Sequence, residues 1–241
     1  MPRLLLIDVG NTRTKWAMAD PRGNIRVLGD MATMELSARK ASDLAKKYAS
    51  HGAIVASVVP GISTRMKQAF GKRAVLVDSK SCGLAFDYPK PEELGADRLA
   101  AAAAVRGPAI IVACGTATTF NVLDARGRFC GGVIAPGLGV QLTALVGTAA
   151  QLPKTALASR ASLPARSTRS AIQTGVLLNF QGGVREILQR LRNELKTPGR
   201  VVVTGGYASY LKGAALGEVE VRPLLVFEGL HIIAQRLFPA S

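Results

Sequence analysis

The strongest constraint on the fold is a strand–turn–strand pattern that the chain spells twice. Leu4-Leu5-Leu6-Ile7-Asp8-Val9-Gly10-Asn11-Thr12-Arg13-Thr14-Lys15 opens with four apolar residues in succession, reaches a carboxylate and turns at a glycine. Four apolar residues in a row read as a strand covered on both faces. Residues 109–116 read Ala-Ile-Ile-Val-Ala-Cys-Gly-Thr, and the run continues through Ala117-Thr118-Thr119-Phe120-Asn121-Val122-Leu123. With Gly10 laid over Gly115, Thr14 falls over Thr119, both 105 residues apart. With one residue skipped, Asp20-Pro21-Arg22-Gly23 falls over Asp124-Ala125-Arg126-Gly127. Each copy therefore reads as strand, small-polar turn, strand, D-x-R-G turn and third strand. A repeat this long is not a solenoid period but two halves of one molecule.

The turn has a chemistry of its own. Gly10 lets the backbone bend or approach a ligand closely. Asn11, Thr12 and Thr14 bring short hydrogen-bonding side chains and unhindered N–H groups, which suit a phosphate better than an apolar ligand. Asp8 could hold a hydrated magnesium ion, which takes only one or two protein carboxylates. Taken alone, the stretch also reads as a buried strand and an ordinary β-turn. The repetition favours the first reading: two halves, each with a phosphate-friendly hairpin, imply a nucleotide in the cleft between them.

The 241 residues suffice for one large domain or two small ones with a substantial core. An apolar content of 48% with 20% charged residues is that of a folded soluble protein. No apolar run approaches the roughly 18 residues of a membrane-spanning helix, and no signal peptide precedes the first strand. Cys82, Cys114 and Cys130 form no C-x-x-C pair, and His51 and His231 stand far apart, so a zinc site is not expected. The expected setting is a reducing cytoplasm. The net charge of +15 has a concentration of Arg160, Arg166, Arg169, Arg185, Arg190, Arg192, Lys196 and Arg200 against Glu186 and Glu194. Such a surface draws in anions. It lacks the Lys/Arg blocks and aromatic interleaving of a nucleic-acid platform, so no specific nucleic acid is expected.

The first half continues with strands at 3–10, 13–19 and 24–29, a helix over 34–50, and a strand over 53–59 stopped by Pro60-Gly61. A helix over 64–70, a short strand over 74–77, a loop over 78–94 and an Ala-rich helix over 99–105 complete it. The second half expects strands at 109–114, 118–124 and 128–134, then a helix over 138–148 with Leu138, Leu142 and Leu145 on one face. That leucine face suits either a core or a dimer surface. Residues 152–166 read as loop, 167–194 as one helix or two broken near Gly182-Gly183, 200–204 as a strand and 225–238 as a closing helix. A β-β-β-α-β-α order in each half indicates mixed sheets with helices on their faces, and Gly107-Pro108 sets the expected domains at 1–106 and 107–241.

This organisation resembles the actin / sugar kinase / Hsp70 superfamily, which implies an α/β fold of duplicated actin-like (ribonuclease H-like) domains, each a mixed sheet flanked by helices, with the active site in the cleft. The motif set is closer still. Asp8-Val9-Gly10-Asn11-Thr12, Tyr88 ahead of Pro91-Glu92-Glu93-Leu94, Gly95-Ala96-Asp97-Arg98 and Gly115-Thr116-Ala117-Thr118-Thr119 occur in order. So do Gly131-Gly132-Val133-Ile134-Ala135-Pro136-Gly137 and Ser167-Thr168 with Ala171-Ile172-Gln173-Thr174-Gly175. With Thr204-Gly205-Gly206 and the Glu228-Gly229-Leu230 tail, they resemble type III pantothenate kinase over nearly the whole chain. Some members of that family carry the name Bvg accessory factor.

The resemblance implies transfer of the ATP γ-phosphoryl group to the primary hydroxyl of pantothenate, the first step of coenzyme A biosynthesis. It implies ATP contacts at Asp8, Val9, Gly10, Asn11, Thr12, Arg13, Thr14, Lys15 and Thr116, with Asp8 toward magnesium. It implies pantothenate contacts at Tyr88, Gly95, Ala96, Asp97, Arg98 and Thr168, with Asp97 the base that accepts the alcohol proton. It also implies a homodimer that completes the pantothenate pocket, and a monovalent cation, potassium or ammonium. The family's aspartate for that cation is replaced here by Ala113, which removes a hard oxygen ligand. Each role has a plainer reading: Asp97 as a helix N-terminal carboxylate, Arg98 as a structural ion pair, Tyr88 as an aromatic lid on the core, and Thr168 as a helix cap. Two other functions stand beside the kinase: a catalytically idle regulatory or nucleic-acid-associated factor on the same fold, and a sugar kinase, acetate kinase or polyphosphate phosphatase of the superfamily.

Overall fold

A computed structural model describes residues 4–20, 22–48, 52–195 and 199–238. They form two compact units. The first comprises the described residues of 1–106, 127–130 and 224–241, and the second those of 107–126 and 131–223.

In the first unit, β1 (Leu4–Val9), β2 (Arg13–Ala19) and β3 (Ile25–Ala32) form an antiparallel meander. Helix α1 (Ala38–Lys47) leads to β4 (Gly52–Ser57), which pairs parallel with β1, and α2 (Pro60–Phe70) leads to β5 (Ala74–Leu76). The sheet order is β3-β2-β1-β4-β5. Leu5, Ile7, Val9, Ala53 and Val55 pack with Leu44, Ile62, Met66 and Phe70 on the α1–α2 side. The opposite face is covered by α3 (Ala96–Ala103) and by α6 (Leu225–Leu237), the last helix of the chain, so Leu6 and Ile54 are buried there. Covering on both faces is why β1 is apolar without alternation.

The second unit repeats the plan. Its strands are β6 (Ala109–Cys114), β7 (Ala117–Leu123), β8 (Phe129–Pro136), β9 (Arg200–Thr204) and β10 (Glu220–Val221), in the order β8-β7-β6-β9-β10. Helices α4 (Leu138–Thr148) and α5 (Thr168–Glu194) pack Leu138, Leu142, Ile172, Val176 and Phe180 against Ile110, Val112, Phe120 and Val203. Both units are thus mixed sheets flanked by helices, with the same strand order about the duplicated hairpin.

Several boundaries differ from expectation for local reasons. Helix α1 starts at Ala38 because the Ser37 side chain accepts from the Lys40 N–H, and Met34 lies in a separate 3-10 turn, Thr33–Glu35. The expected helix end at 49–50, His51 and Lys196 lie outside the described residues. Pro60 opens α2 instead of merely ending β4, since the first helical turn needs no N–H from it. Helix α3 begins at Ala96 rather than Leu99, with Gly95 as its N-cap, which puts Asp97 and Arg98 inside the first turn. Helix α5 runs unbroken through Gly182-Gly183 because Phe180, Val184 and Leu188 keep its buried stripe in phase. The closing helix α6 packs on α3, so it belongs to the first unit and not to the second half in which it is encoded.

Candidate active site

The end of β1 sets the first part of the site. Asp8 pairs across the sheet with Lys15 of β2 and lies beside Ala56 of β4. The Gly10 N–H donates to the Arg13 carbonyl at 3.1 Å, closing a tight turn that leaves Asn11, Thr12 and Arg13 exposed. Thr33 braces this turn from below. Its N–H donates to the Thr12 carbonyl at 3.0 Å, and its hydroxyl donates to the Gly10 carbonyl at 2.7 Å. Thr14 is fully buried, with its hydroxyl 3.0 Å from that of Thr33, so its side chain stiffens the turn from inside. The Arg13 guanidinium ion-pairs with Asp30 on β3. The exposed residues of this segment are Asn11, Thr12, Arg13 and Lys15.

The second part lies at the start of α3. Gly95 caps it, and the Arg98 N–H donates to the Asp97 carboxylate at 2.8 Å. A Cβ on Gly95 would stand 2.7 Å from Asp97 Oδ1 and 3.3 Å from Val58, so glycine is what lets that carboxylate sit where it does. Tyr88 meets the ring of Phe129 edge-on, with centroids 5.9 Å apart and planes at 84°. Arg98 stacks on that same ring, its Cζ 5.5 Å from the centroid. Tyr88, Asp97 and Arg98 are all half-buried. Thr33 and Phe129 were not found by sequence reasoning; each acts over a long separation that no local motif marks.

The first unit thus gathers Asp8, Lys15, Tyr88, Asp97 and Arg98. Asp8 is pushed up to about 7, first by burial and then by the negative charge of Asp97, with Lys15 opposing. Burial also raises Asp97, against the pull of the Arg98 N–H and guanidinium. Burial lowers Arg98, while the charge of Asp97 and then Tyr88 act to hold it up. Two desolvated carboxylates that repel one another are a donor set a divalent cation such as magnesium would relieve, so the residues present fit one. The shift of Asp8 has a measurable sign. Its folded value exceeds the ordinary 3.8, so the folded protein carries the extra proton between about pH 4 and 7. This group's contribution to stability is therefore intact below pH 4, declines as pH rises to about 7 and is level above it. Thermal melts without nucleotide or metal should find Asp8→Asn several degrees more stable than wild type at pH 8 and nearly equal at pH 4.5. A wild-type advantage at pH 8 would contradict this.

The remaining sequence candidates lie in the second unit. The Gly115 N–H donates to the Ala117 carbonyl at 3.0 Å, the counterpart of the Gly10 turn, and leaves Thr116 exposed. The Gly137 N–H donates to the Thr116 carbonyl at 3.0 Å, and a Cβ there would collide with the Gly115 and Thr116 carbonyl oxygens. Thr168 is the exposed first residue of α5. Ser167 provides the cap in a reciprocal pair with Ser170, which leaves the Thr168 side chain without a capping task. Ala113, between Thr119 and Thr204 in the sheet, offers a methyl where the monovalent-cation carboxylate would stand. The residues at that position do not fit the cation. Among the described residues, no cluster of three or more His, Cys, Asp and Glu side chains could hold a metal.

Residues 4–190 match the family model of type III pantothenate kinase. The chain belongs to the type III pantothenate kinase family. Curated members of it include a protein of Anaeromyxobacter sp. (strain K), 34% identical over 97% of this chain and 99% of that one. Another, from Akkermansia muciniphila, is 35% identical over 95% of this chain and 97% of that one. Solved structures extend the likeness in fold. A Campylobacter jejuni protein assigned to the Baf family of transcriptional activators aligns with TM-score 0.64 at 19% identity, over 97% of this chain and 98% of that one. The activator of 2-hydroxyisocaproyl-CoA dehydratase from Clostridium difficile aligns with TM-score 0.56 at 12% identity, over 99% of both. This family member is accordingly an ATP-dependent kinase with the duplicated actin-like fold. No helix among its described residues is long and apolar enough to cross a membrane.

Proposed function

We propose that this family member transfers the γ-phosphoryl group of ATP to the primary hydroxyl of pantothenate, giving 4′-phosphopantothenate and ADP. The observation that carries this reading is the Asp97–Arg98 pair on the first turn of α3: a carboxylate raised by burial beside a guanidinium stacked on an aromatic ring. Asp97 accepts the proton of the attacking hydroxyl. The alcohol oxygen bonds to the γ-phosphorus, the bond to the bridging oxygen breaks, and ADP leaves with that electron pair. Arg98 takes the pantothenate carboxylate, for which a guanidinium fork is suited, with Tyr88, Gly95 and Ala96 as further contacts in the same unit; the family resemblance adds Thr168 to the pantothenate contacts. The backbone of residues 8–15 and the Lys15 ammonium hold the ATP phosphates, and the family resemblance adds Thr116 to the ATP contacts. Magnesium carried with ATP supplies neutralisation of phosphate charge, and Asp8 is the residue to hold it. A cytoplasmic setting and the net charge of +15, which attracts anionic substrates, accord with this chemistry.

The test is ADP release from ATP and magnesium with pantothenate, glucose or acetate as acceptor, each with potassium, with ammonium and with neither. Pantothenate alone should support turnover, at a rate that the two monovalent cations leave unchanged because Ala113 provides no carboxylate. Turnover with a sugar or acetate instead would overturn the reading. No observation favours the idle regulatory factor, since Asp8, Asp97 and Arg98 are all in place.

A homodimer belongs to the same proposal. Of the leucine face of α4, Leu138 and Leu142 are core, but Leu145 and Val140 are each 40% exposed and Ile134 is 62% exposed. An apolar groove of about 470 Å³ runs between α4 and α5, lined by Val140, Leu145, Ile172 and Val176 among others. A patch of this kind is usually covered by a partner. Sedimentation velocity at micromolar concentration should find a dimer in wild type and a monomer in Leu145→Glu. A monomeric wild type would contradict it.

A further inference from the structure

Phe129 lies outside every motif that the family resemblance carries, yet it touches two of the residues assigned to pantothenate, Tyr88 and Arg98. It is fully buried at the start of β8, within the four-residue stretch 127–130 that packs into the first unit. Its backbone forms an isolated parallel bridge with Phe86: the Phe129 N–H donates to the Ala85 carbonyl and the Asp87 N–H donates to the Phe129 carbonyl, both at 2.9 Å. Arg128 ion-pairs with Asp87 at 3.0 Å and reinforces the same bridge. The loop that carries Tyr88 is thereby fixed two residues upstream of the tyrosine itself. The ring then does two further things. Tyr88 packs against it edge-on at 5.9 Å, and Phe86 packs at 6.4 Å with planes tilted by 52°. The Arg98 guanidinium stacks on it at 5.5 Å, one residue from Asp97.

The physical consequence concerns order. A half-buried arginine has many rotamers, and a guanidinium held over an aromatic face keeps few of them. A tyrosine edge against the same ring likewise adopts one of a few preferred arrangements. The two substrate-facing side chains come from a loop and a helix, and this single ring sets the position of one relative to the other. A ring in a core position with no such partners would serve packing alone.

We propose that Phe129 is a positioning residue of the pantothenate site, acting through Arg98 and Tyr88 to hold them ready for substrate. This inference rests on the pantothenate reading above. The substitutions Phe129→Leu and Phe129→Met keep apolar volume and remove the ring, and either one that folds by circular dichroism is sufficient for the test. Steady-state kinetics of the full-length protein should show KM for pantothenate raised at least tenfold, with KM for ATP within twofold of wild type and kcat less affected than KM. Combining the substitution with Arg98→Lys should raise KM for pantothenate by less than the product of the single effects, because the two share one contact. A core residue without this role would lower the melting temperature and the active fraction and leave both KM values unchanged, and that result overturns the inference alone. Wild-type protein without pantothenate-dependent turnover overturns the functional reading and this inference with it.

Discussion

Asp97→Asn is expected to lower kcat by about 10²–10⁴-fold, the usual contribution of a positioned general base, while KM for pantothenate stays near wild type and the melting temperature does not fall, since a desolvated carboxylate that repels Asp8 is removed. The substitution is close to isosteric. Asparagine keeps an oxygen that can accept from the Arg98 N–H, which now donates to Asp97 Oδ1 at 2.8 Å, so the first turn of α3 has no reason to rearrange. What it loses is the capacity to take a proton. The same residue should shape the pH profile. Burial raises Asp97 above the ordinary carboxylate value, so kcat/KM should fall as pH drops through a value higher than that of an exposed aspartate. The residual activity of the variant should lack that acid limb. A variant with near-wild-type kcat would remove Asp97 from the role of base and restore its plainer reading as a carboxylate at a helix N-terminus.

Gly229→Ala should be the most damaging single methyl group in the first unit. Helix α6 crosses α3 so closely that a Cβ on Gly229 would run into the carbonyl oxygen of Ala100, with the Ala100 carbonyl carbon next in line. A backbone atom cannot rotate aside, so α6 must shift away from α3 and uncover Leu230 and Ile233, both fully buried. Overpacking of this kind costs about 3 kcal/mol, which for a chain of this length lowers the melting temperature by roughly 6–12 °C. Because the first turn of α3 carries Asp97 and Arg98, kcat/KM measured well below the transition should fall too. Gly182→Ala in α5 is the control, since nothing lies within 4 Å of the added methyl and alanine is the better helix former. Thermal melts should rank Gly182→Ala at or above wild type and Gly229→Ala far below both.

The parts of this molecule that were legible in the sequence are those whose signal is local. Both faces of β1 and β6 are covered, so each strand must be apolar throughout, and the run ending at Gly10 or Gly115 repeats visibly at one offset. That repeat carried the duplicated architecture, and the strand orders of the two sheets match it. Helix limits were less legible where the deciding interaction was a cap or a packed stripe. Ser37 starts α1 three residues beyond Met34, and Gly95 starts α3 without any capping side chain. Gly182-Gly183 left one helix or two open, and the buried stripe on either side of the pair outweighs the helix-weakening effect of two glycines.

The candidate site divides in the same way. Asp8 stands in a turn whose phosphate chemistry can be read from residue types, and Asp97 and Arg98 stand in a short motif that the family resemblance marks. Thr14, taken from such a motif as a phosphate contact, proves to face Thr33 inside the fold, because alternation along β2 turns its side chain inward. The brace that Thr33 provides spans 23 residues to Gly10. The ring that Phe129 provides for Tyr88 and Arg98 comes from another strand altogether. The path of α6 back onto α3 also depends on tertiary packing, and nothing in the closing helix announces its partner.

The most direct test of the central claim is the identity of the product. Purified protein incubated with ATP, magnesium and pantothenate should yield one new phosphomonoester, with mass spectrometry recording the addition of a single phosphoryl group and ³¹P–¹H correlation placing it on the methylene of the primary hydroxyl. Formation must depend on the Asp97 carboxylate. A phosphoryl group on the secondary hydroxyl, or ATP consumed with pantothenate left unmodified, would contradict the account.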